Sequence, residues 1–232
     1  PARSVVAGIT TQHLRPPDIE LTLEQHTKYL EALEKCGLSI EILPADERFP
    51  DGNYVEDVAV LAENVAIITN PGAESRRDEI KNIIPTIEKY FKNIEYIRTP
   101  GFLEGGDVMK VGTHFYIGLS KRTNEEGARQ LISILNKHGY TGSTVNVTGV
   151  LHLKTGMTYM EDGTLLVAGD FLKNKNFLNK FERIIEISDE EDYAVNCIRL
   201  NEFVLMPEGF YDTKSKLQTA GYRIVETAMS EF

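Results

Sequence analysis

LEGGDVMKVGTHFYIGLSKRTNEEGARQL, running from Leu103 to Leu131, holds an acidic turn, a hairpin and the start of a helix in one short run. Gly105 and Gly106 permit positive φ and a close approach to another group, so Glu104 and Asp107 are expected at a sharp bend. Val108 to Lys110 and Phe115 to Leu119 read as a hairpin closed at Gly112-Thr113. Ser120 to Thr123 form a polar loop, and Asn124, with Glu126 beyond it, reads as the cap of a helix entering EEGARQLISILNKHG.

The same order extends outward in both directions. Before it lie a strand at Ser4 to Ile9, a loop through Gln12, His13, Leu14 and Arg15, a helix from Thr22 to the Cys36-Gly37 break, and a strand at Leu38 to Leu43. A second block has strands at Tyr54 to Val60 and Val65 to Thr69, a helix from Ser75 to Phe91 and a strand at Glu95 to Arg98. Beyond the central stretch, which closes on a strand at Thr144 to Val147, come strands at Met157 to Glu161 and Leu165 to Ala168, a helix from Asn174 to Ile185 and a closing strand at Asn196 to Leu200. The last block reads as a strand at Val204 to Met206, a helix from Tyr211 to Ala220 and a strand at Arg223 to Thr227. Strand, strand, helix, strand thus recurs at intervals of roughly 50 residues, the signature of units closing round an axis or stacking in line. No linker divides them, so residues 1–232 are expected to form one domain.

Composition excludes several classes of function. Hydrophobic residues make up 41% and charged residues 26%, as in ordinary globular proteins, and no apolar run approaches the length of about 20 residues that a bilayer span needs. PARSVVAGIT carries neither a long apolar core nor a small-residue cleavage site, and two cysteines, Cys36 and Cys197, do not make a disulfide framework. A reducing, cytoplasmic setting is expected. The net charge of −10 argues against a nucleic-acid partner and suits a small cationic substrate, although most of that charge is solvated helix surface.

Units set round an axis would bring the starts of several strands together, and those starts carry Asp51, Glu56, Asp57, Glu104, Asp107 and His152. Any one of these acids is more simply a turn residue, and a lone histidine is more simply a core imidazole bonded to a carbonyl. Acids recurring at equivalent positions of the repeats weigh against that simpler account.

PADERFPDGNYVEDVAVL, TNPGAESRRDEI, the central stretch, LHLKTGM, AVNCIRLN and the final MSEF together resemble the dimethylarginine dimethylaminohydrolases of the arginine-deiminase and amidinotransferase superfamily. The resemblance runs in order from about Gln12 to Phe232. It implies a five-bladed α/β propeller, the pentein fold, of strand-strand-helix-strand repeats round a pseudo-fivefold axis. It also implies hydrolysis of Nω-methylated arginine to citrulline and a methylamine, with no metal and no organic cofactor. A guanidinium is planar and resonance-stabilised, so water alone attacks it slowly; a stronger nucleophile and a carboxylate clamp are needed. On this resemblance Asp57, with Asp51 and Glu56, would hold the guanidinium nitrogens, and His152, paired with Glu104, would protonate the departing amine and then activate water. Arg76 and Arg122 match positions that hold the substrate's α-carboxylate, and Leu14 falls on the loop that covers the site.

The family's nucleophile is a cysteine shortly after the MSE step, and the sequence stops at Phe232, before that position. The last repeat therefore reads as truncated ahead of the nucleophile loop, with the cysteine expected beyond Phe232. Cys197, in an NCI context on an expected buried strand, does not replace it. Arginine deiminase and amidinotransferase share the same acids and histidine, and a catalytically silent binder of guanidinium cations is the reading from another class. The partner expected is a small guanidinium molecule, with no nucleic acid or membrane, and the chain a monomer or homodimer.

Overall fold

Helix α1, Ile19–Lys35, begins ahead of the expected Thr22 because Asp18 caps it, its Oδ1 accepting from the amides of Glu20 and Leu21 at 3.0 and 3.1 Å. The computed structural model describes residues 1–10 and 15–232, so Leu14 lies outside the described residues. Neither flanking strand forms: Arg3–Ala7 is a 3-10 helix and residues 38–43 have no regular structure. Strand preference in Val5, Val6 and Ile9 is realised only against a partner strand, and no sheet takes up either stretch.

The chain divides into two compact units, Leu43–Lys154 and the pair of segments Arg3–Ile42 and Thr155–Phe232. The first contains β1 (Ala59–Ala62), β2 (Val65–Ile68), α2 (Ile80–Tyr90), β3 (Ile94–Tyr96), β4 (Val108–Val111), β5 (His114–Leu119), α3 (Glu125–Lys137) and β6 (Thr141–Asn146). In each of its two sheets the first pair of strands is an antiparallel hairpin, with Ala59 opposite Ile68 and Val108 opposite Ile117. The third strand then pairs parallel after the intervening helix, as a parallel return requires. The expected central hairpin and its Asn124 cap are present, Asn124 Oδ1 accepting from Gly127 N at 2.8 Å. Gly127 is needed where it stands, since a Cβ there would lie 2.0 Å from the Phe102 carbonyl oxygen. Ala128, Leu131 and Leu135, spaced along one face of α3, close over Val65, Ile67, Leu103, Phe115 and Ile117 in one buried cluster.

Two departures in this unit shape the site. Tyr54 to Val60 is not a continuous strand: Val55–Val58 winds into a 3-10 turn before β1. Likewise Glu74–Glu79 is a 3-10 turn leading into α2, which starts only at Ile80.

After the short turn α4 (Leu153–Gly156), the other unit continues with β7 (Met157–Tyr159), β8 (Thr164–Val167), α5 (Lys175–Leu178), β9 (Arg183–Glu186), β10 (Ile198–Leu200), β11 (Phe203–Pro207), α6 (Tyr211–Thr219) and β12 (Arg223–Thr227). The helix expected from Asn174 to Ile185 stops at Leu178, and its last residues instead pair parallel to β8, Leu166 opposite Ile185. The β-branched pair Ile184-Ile185 suits a strand better than a helix. Ile198–Leu200 opens the following sheet against β11 and does not close the preceding one. The strand-strand-helix-strand order is thereby kept, and the described residues form four three-stranded α/β layers. Ala32 and Cys36 of α1 pack with Leu205 and Val225.

Candidate active site

Two tight turns meet at the centre of the Leu43–Lys154 unit, Val55–Val58 and Gly105–Asp107. The expected bend at Gly105-Gly106 exists, but neither glycine adopts positive φ. Space is the reason for them: a Cβ on Gly105 would lie 1.9 Å from the Glu56 carbonyl oxygen, and one on Gly106 2.8 Å from His152 Cδ2 and 3.0 Å from Asp57 Oδ1. With no side chain in the way, Gly106 N donates to Asp57 Oδ1 at 2.8 Å, while Thr69 Oγ1 donates to the Asp57 carbonyl at 2.7 Å.

His152 is ringed by carboxylates. Its Nε2 lies 3.5 Å from Glu104 Oε2 and 4.0 Å from Asp57 Oδ1, and its Nδ1 3.3 Å from Asp107 Oδ2. Glu104 and Asp107 are fully buried and Asp57 nearly so. Among the described residues Glu104 Oε2 and His152 Nδ1 make no well-aligned hydrogen bond, so the contacts with the ring are electrostatic in character. Burial pushes the imidazole's pKa down. The contact with Asp107 and the charges of Asp57, Asp107 and Glu104 outweigh it, and the pKa stands above the ordinary histidine value. The surrounding carboxylates thereby favour the protonated ring.

Glu104 is held on its other side, Oε1 accepting from Ala73 N at 2.9 Å and lying 3.5 Å from Arg122 Nη1. Arg122 is therefore one of the expected residues that the fold brings beside the histidine cluster. Arg76 is buried and turned inward. Its Nη1 donates to Asp57 Oδ2 at 2.6 Å, its Nε and Nη2 to Glu79, and Nη2 also to the carbonyls of Asp51 and Tyr54. Burial pushes the Arg76 pKa down, but these partners, the hydrogen bonds to Glu79 foremost, outweigh it and raise the pKa above its ordinary value. Asp51 is buried beside this cage. Glu56 is not in the cluster: its side chain is half exposed and pairs with Lys154 Nζ at 2.8 Å.

Sequence reasoning did not single out Glu79, Ser120 or Thr123. The spacing of Glu79 three residues after Arg76 on a helical turn is a legible pairing signal. Asp57, Glu104 and His152 each offer a ligand atom within 4.8 Å of the others, a set that could take a divalent cation. A cation there would compete with the guanidinium already bonded to Asp57 and with Arg122 beside Glu104. Cys36 and Cys197 are both free and buried, and burial pushes the Cys197 thiol up to about 12. Neither is a ready nucleophile.

The chain that carries this buried imidazole, its three carboxylates and the two arginines is similar to known proteins along its length. Residues 15–226 match the family described as N,N dimethylarginine dimethylhydrolase, eukaryotic. The chain is 51% identical over 233 residues to the N(G),N(G)-dimethylarginine dimethylaminohydrolase of Pseudomonas aeruginosa, covering 100% of this chain and 91% of that protein. It is 39% identical over 168 residues to the enzyme of the same name from Streptomyces coelicolor, covering 72% of this chain and 65% of that one. A solved structure of the Pseudomonas aeruginosa protein, a cysteine-to-serine variant complexed with citrulline, superposes with a TM-score of 0.97 over 100% of this chain and 90% of that one. With its match to the family across most of its length and that identity along the whole of it, the chain belongs to the dimethylarginine dimethylaminohydrolase family.

Proposed function

We infer that the protein hydrolyses Nω-methylated arginine to citrulline and methylamine or dimethylamine through a covalent cysteine intermediate. The observation that carries this is the carboxylate-ringed His152, with a raised pKa, in a chain half identical to a dimethylarginine dimethylaminohydrolase. Asp57 and Asp51 would attract the cationic guanidinium, and Glu56 would join them by leaving Lys154. Glu104 would keep His152 protonated for delivery of its proton to the departing amine; the neutral ring would then take a proton from the water that hydrolyses the thiouronium carbon. Arg122 would hold the α-carboxylate, and Arg76 would do so with the Nη1 proton that Asp57 does not take. Leu14 would cover the bound substrate.

The buried state of Cys36 and Cys197 supports a nucleophile beyond Phe232. The five-bladed propeller, with the chain as one catalytic domain, belongs to the same proposal and is supported by the TM-score of 0.97 to a relative's structure. No described helix is long and apolar enough to cross a membrane. A reducing, cytoplasmic setting is proposed on the two free thiols, and a monomer or homodimer without nucleic acid on the acidic charge.

The test is an assay of the chain read through the next cysteine after Phe232, incubated with asymmetric dimethylarginine. Equal release of citrulline and dimethylamine is expected, abolished by His152→Gln in a protein that still melts cooperatively. Binding of the amino acid with no citrulline released would leave a silent guanidinium binder.

A further inference from the structure

We propose that Asp107 is a positioning residue for this site, a single buried carboxylate that orients the His152 imidazole and anchors the loop carrying Arg122. The proposal rests on His152 acting as the acid and base, and it gives a task to a residue outside the guanidinium clamp and outside the Glu104 pairing.

The hydrogen-bond network around Asp107 has only one consistent polarity. Its Oδ1 accepts from the backbone N–H of Leu153, the residue after His152, at 3.0 Å. Its Oδ2 accepts from Ser120 Oγ and from Thr123 Oγ1, both at 2.7 Å, and lies 3.3 Å from His152 Nδ1. Ser120 Oγ in turn accepts from the amides of Arg122 and Thr123 at 2.9 and 3.2 Å, and Thr123 Oγ1 accepts from Glu104 N at 3.1 Å. Each hydroxyl therefore has its one proton directed at Asp107, and the centre of the network must be a pure acceptor, which an ionised carboxylate is and an amide is not. Gly118 leaves the room for it, since a Cβ there would lie 3.0 Å from Asp107 Oδ1. Three donors and a neighbouring imidazole are what allow a fully buried charge at this position.

The consequence for the ring is directional. Asp107 comes nearest the ring, 3.3 Å from Nδ1, whereas Glu104 and Asp57, 3.5 and 4.0 Å from Nε2, are already paired with Arg122 and Arg76. The proton of the neutral ring is thereby favoured on Nδ1, and Nε2 is left as the nitrogen that exchanges protons. The consequence for Arg122 is that its backbone is held to the same carboxylate through Ser120. Asp107 thus sets two separate parts of the site in one register.

The experiment is a pH titration of the imidazole nitrogens by NMR on the nitrogen-15 histidine-labelled chain, with His152 assigned by its loss in His152→Gln. In the wild type His152 should titrate above 6.5 and be neutral as the Nδ1–H tautomer. In Asp107→Asn its midpoint should fall by about one pH unit or more and the tautomers should mix, even though Glu104 and Asp57 still face the ring. A folded Asp107→Asn protein with an unchanged midpoint and tautomer would overturn the proposal. Should that variant not fold, Ser120→Ala removes one donor from Oδ2. It should raise the His152 midpoint and lose amide protection at Arg122 and Thr123, and an unchanged midpoint there overturns the proposal equally. No readout depends on turnover, so a failure of the acid-base role of His152, seen as citrulline release by His152→Gln, is distinguishable from a failure of this inference.

Discussion

Arg76 Nη1 donates to Asp57 Oδ2 at 2.6 Å, with only 5% and 8% of the two side chains exposed, and the same guanidinium is bound from its other edge by Glu79. One cation thus sits between two buried carboxylates. Substituting Arg76→Met fills the space but leaves both carboxylates buried and unpaired. Breaking a buried pair in this way costs about 3–5 kcal/mol. Urea unfolding at neutral pH should show a loss of that size, shrinking at lower pH as Glu79, whose pKa burial raises, takes up a proton. A loss below about 1 kcal/mol would mean that water reaches the cage and screens it.

His152 should link stability to pH. Its folded pKa lies above the ordinary value of about 6.5. The folded state then holds the proton more tightly than the unfolded chain, so this contribution is fully present below 6.5 and is lost as pH rises through the folded pKa. The stability difference between wild type and His152→Gln, from denaturant unfolding at pH 6 and pH 9, should favour the wild type more at pH 6. An equal difference at both values would show that the ring is not preferentially protonated in the fold.

Two glycines should respond to alanine for different reasons. At Gly105 the added methyl would meet the Glu56 carbonyl oxygen at 1.9 Å, so the Val55–Val58 turn must move and carry Asp57 with it. A loss of about 3 kcal/mol or more is expected, together with weakened binding of guanidinium ligands. At Gly112 the methyl meets nothing within 4 Å, and only the φ of +59° is unfavourable. The cost there should be about 1–2 kcal/mol with ligand affinity unchanged. Thermal melts and calorimetry on the two variants check both halves, and equal effects would remove the steric account of Gly105.

The sequence by itself determined the order of elements in the Leu43–Lys154 unit, the β4–β5 hairpin, the Asn124 cap and the residue types of the site. Each depends on interactions within a few positions, where period and turn chemistry are legible. It also placed Cys197 in the interior. Only the tertiary structure decided what lies further apart in the chain. Gly106 reaches Asp57 across 49 positions, and its missing side chain matters because of His152, not because of its own φ. Which of the neighbouring acids Glu56 and Asp57 would be buried depended on partners far along the chain, Lys154 for the exposed Glu56 and Arg76 and Gly106 for the buried Asp57. Where Arg183–Glu186 pairs with β8, and where residues 4–9 and 38–43 find no sheet, the presence or absence of a partner strand overrode local preference. Charge and propensity are properties of single residues and can be read in order. Orientation is set by what each side chain finds across the fold.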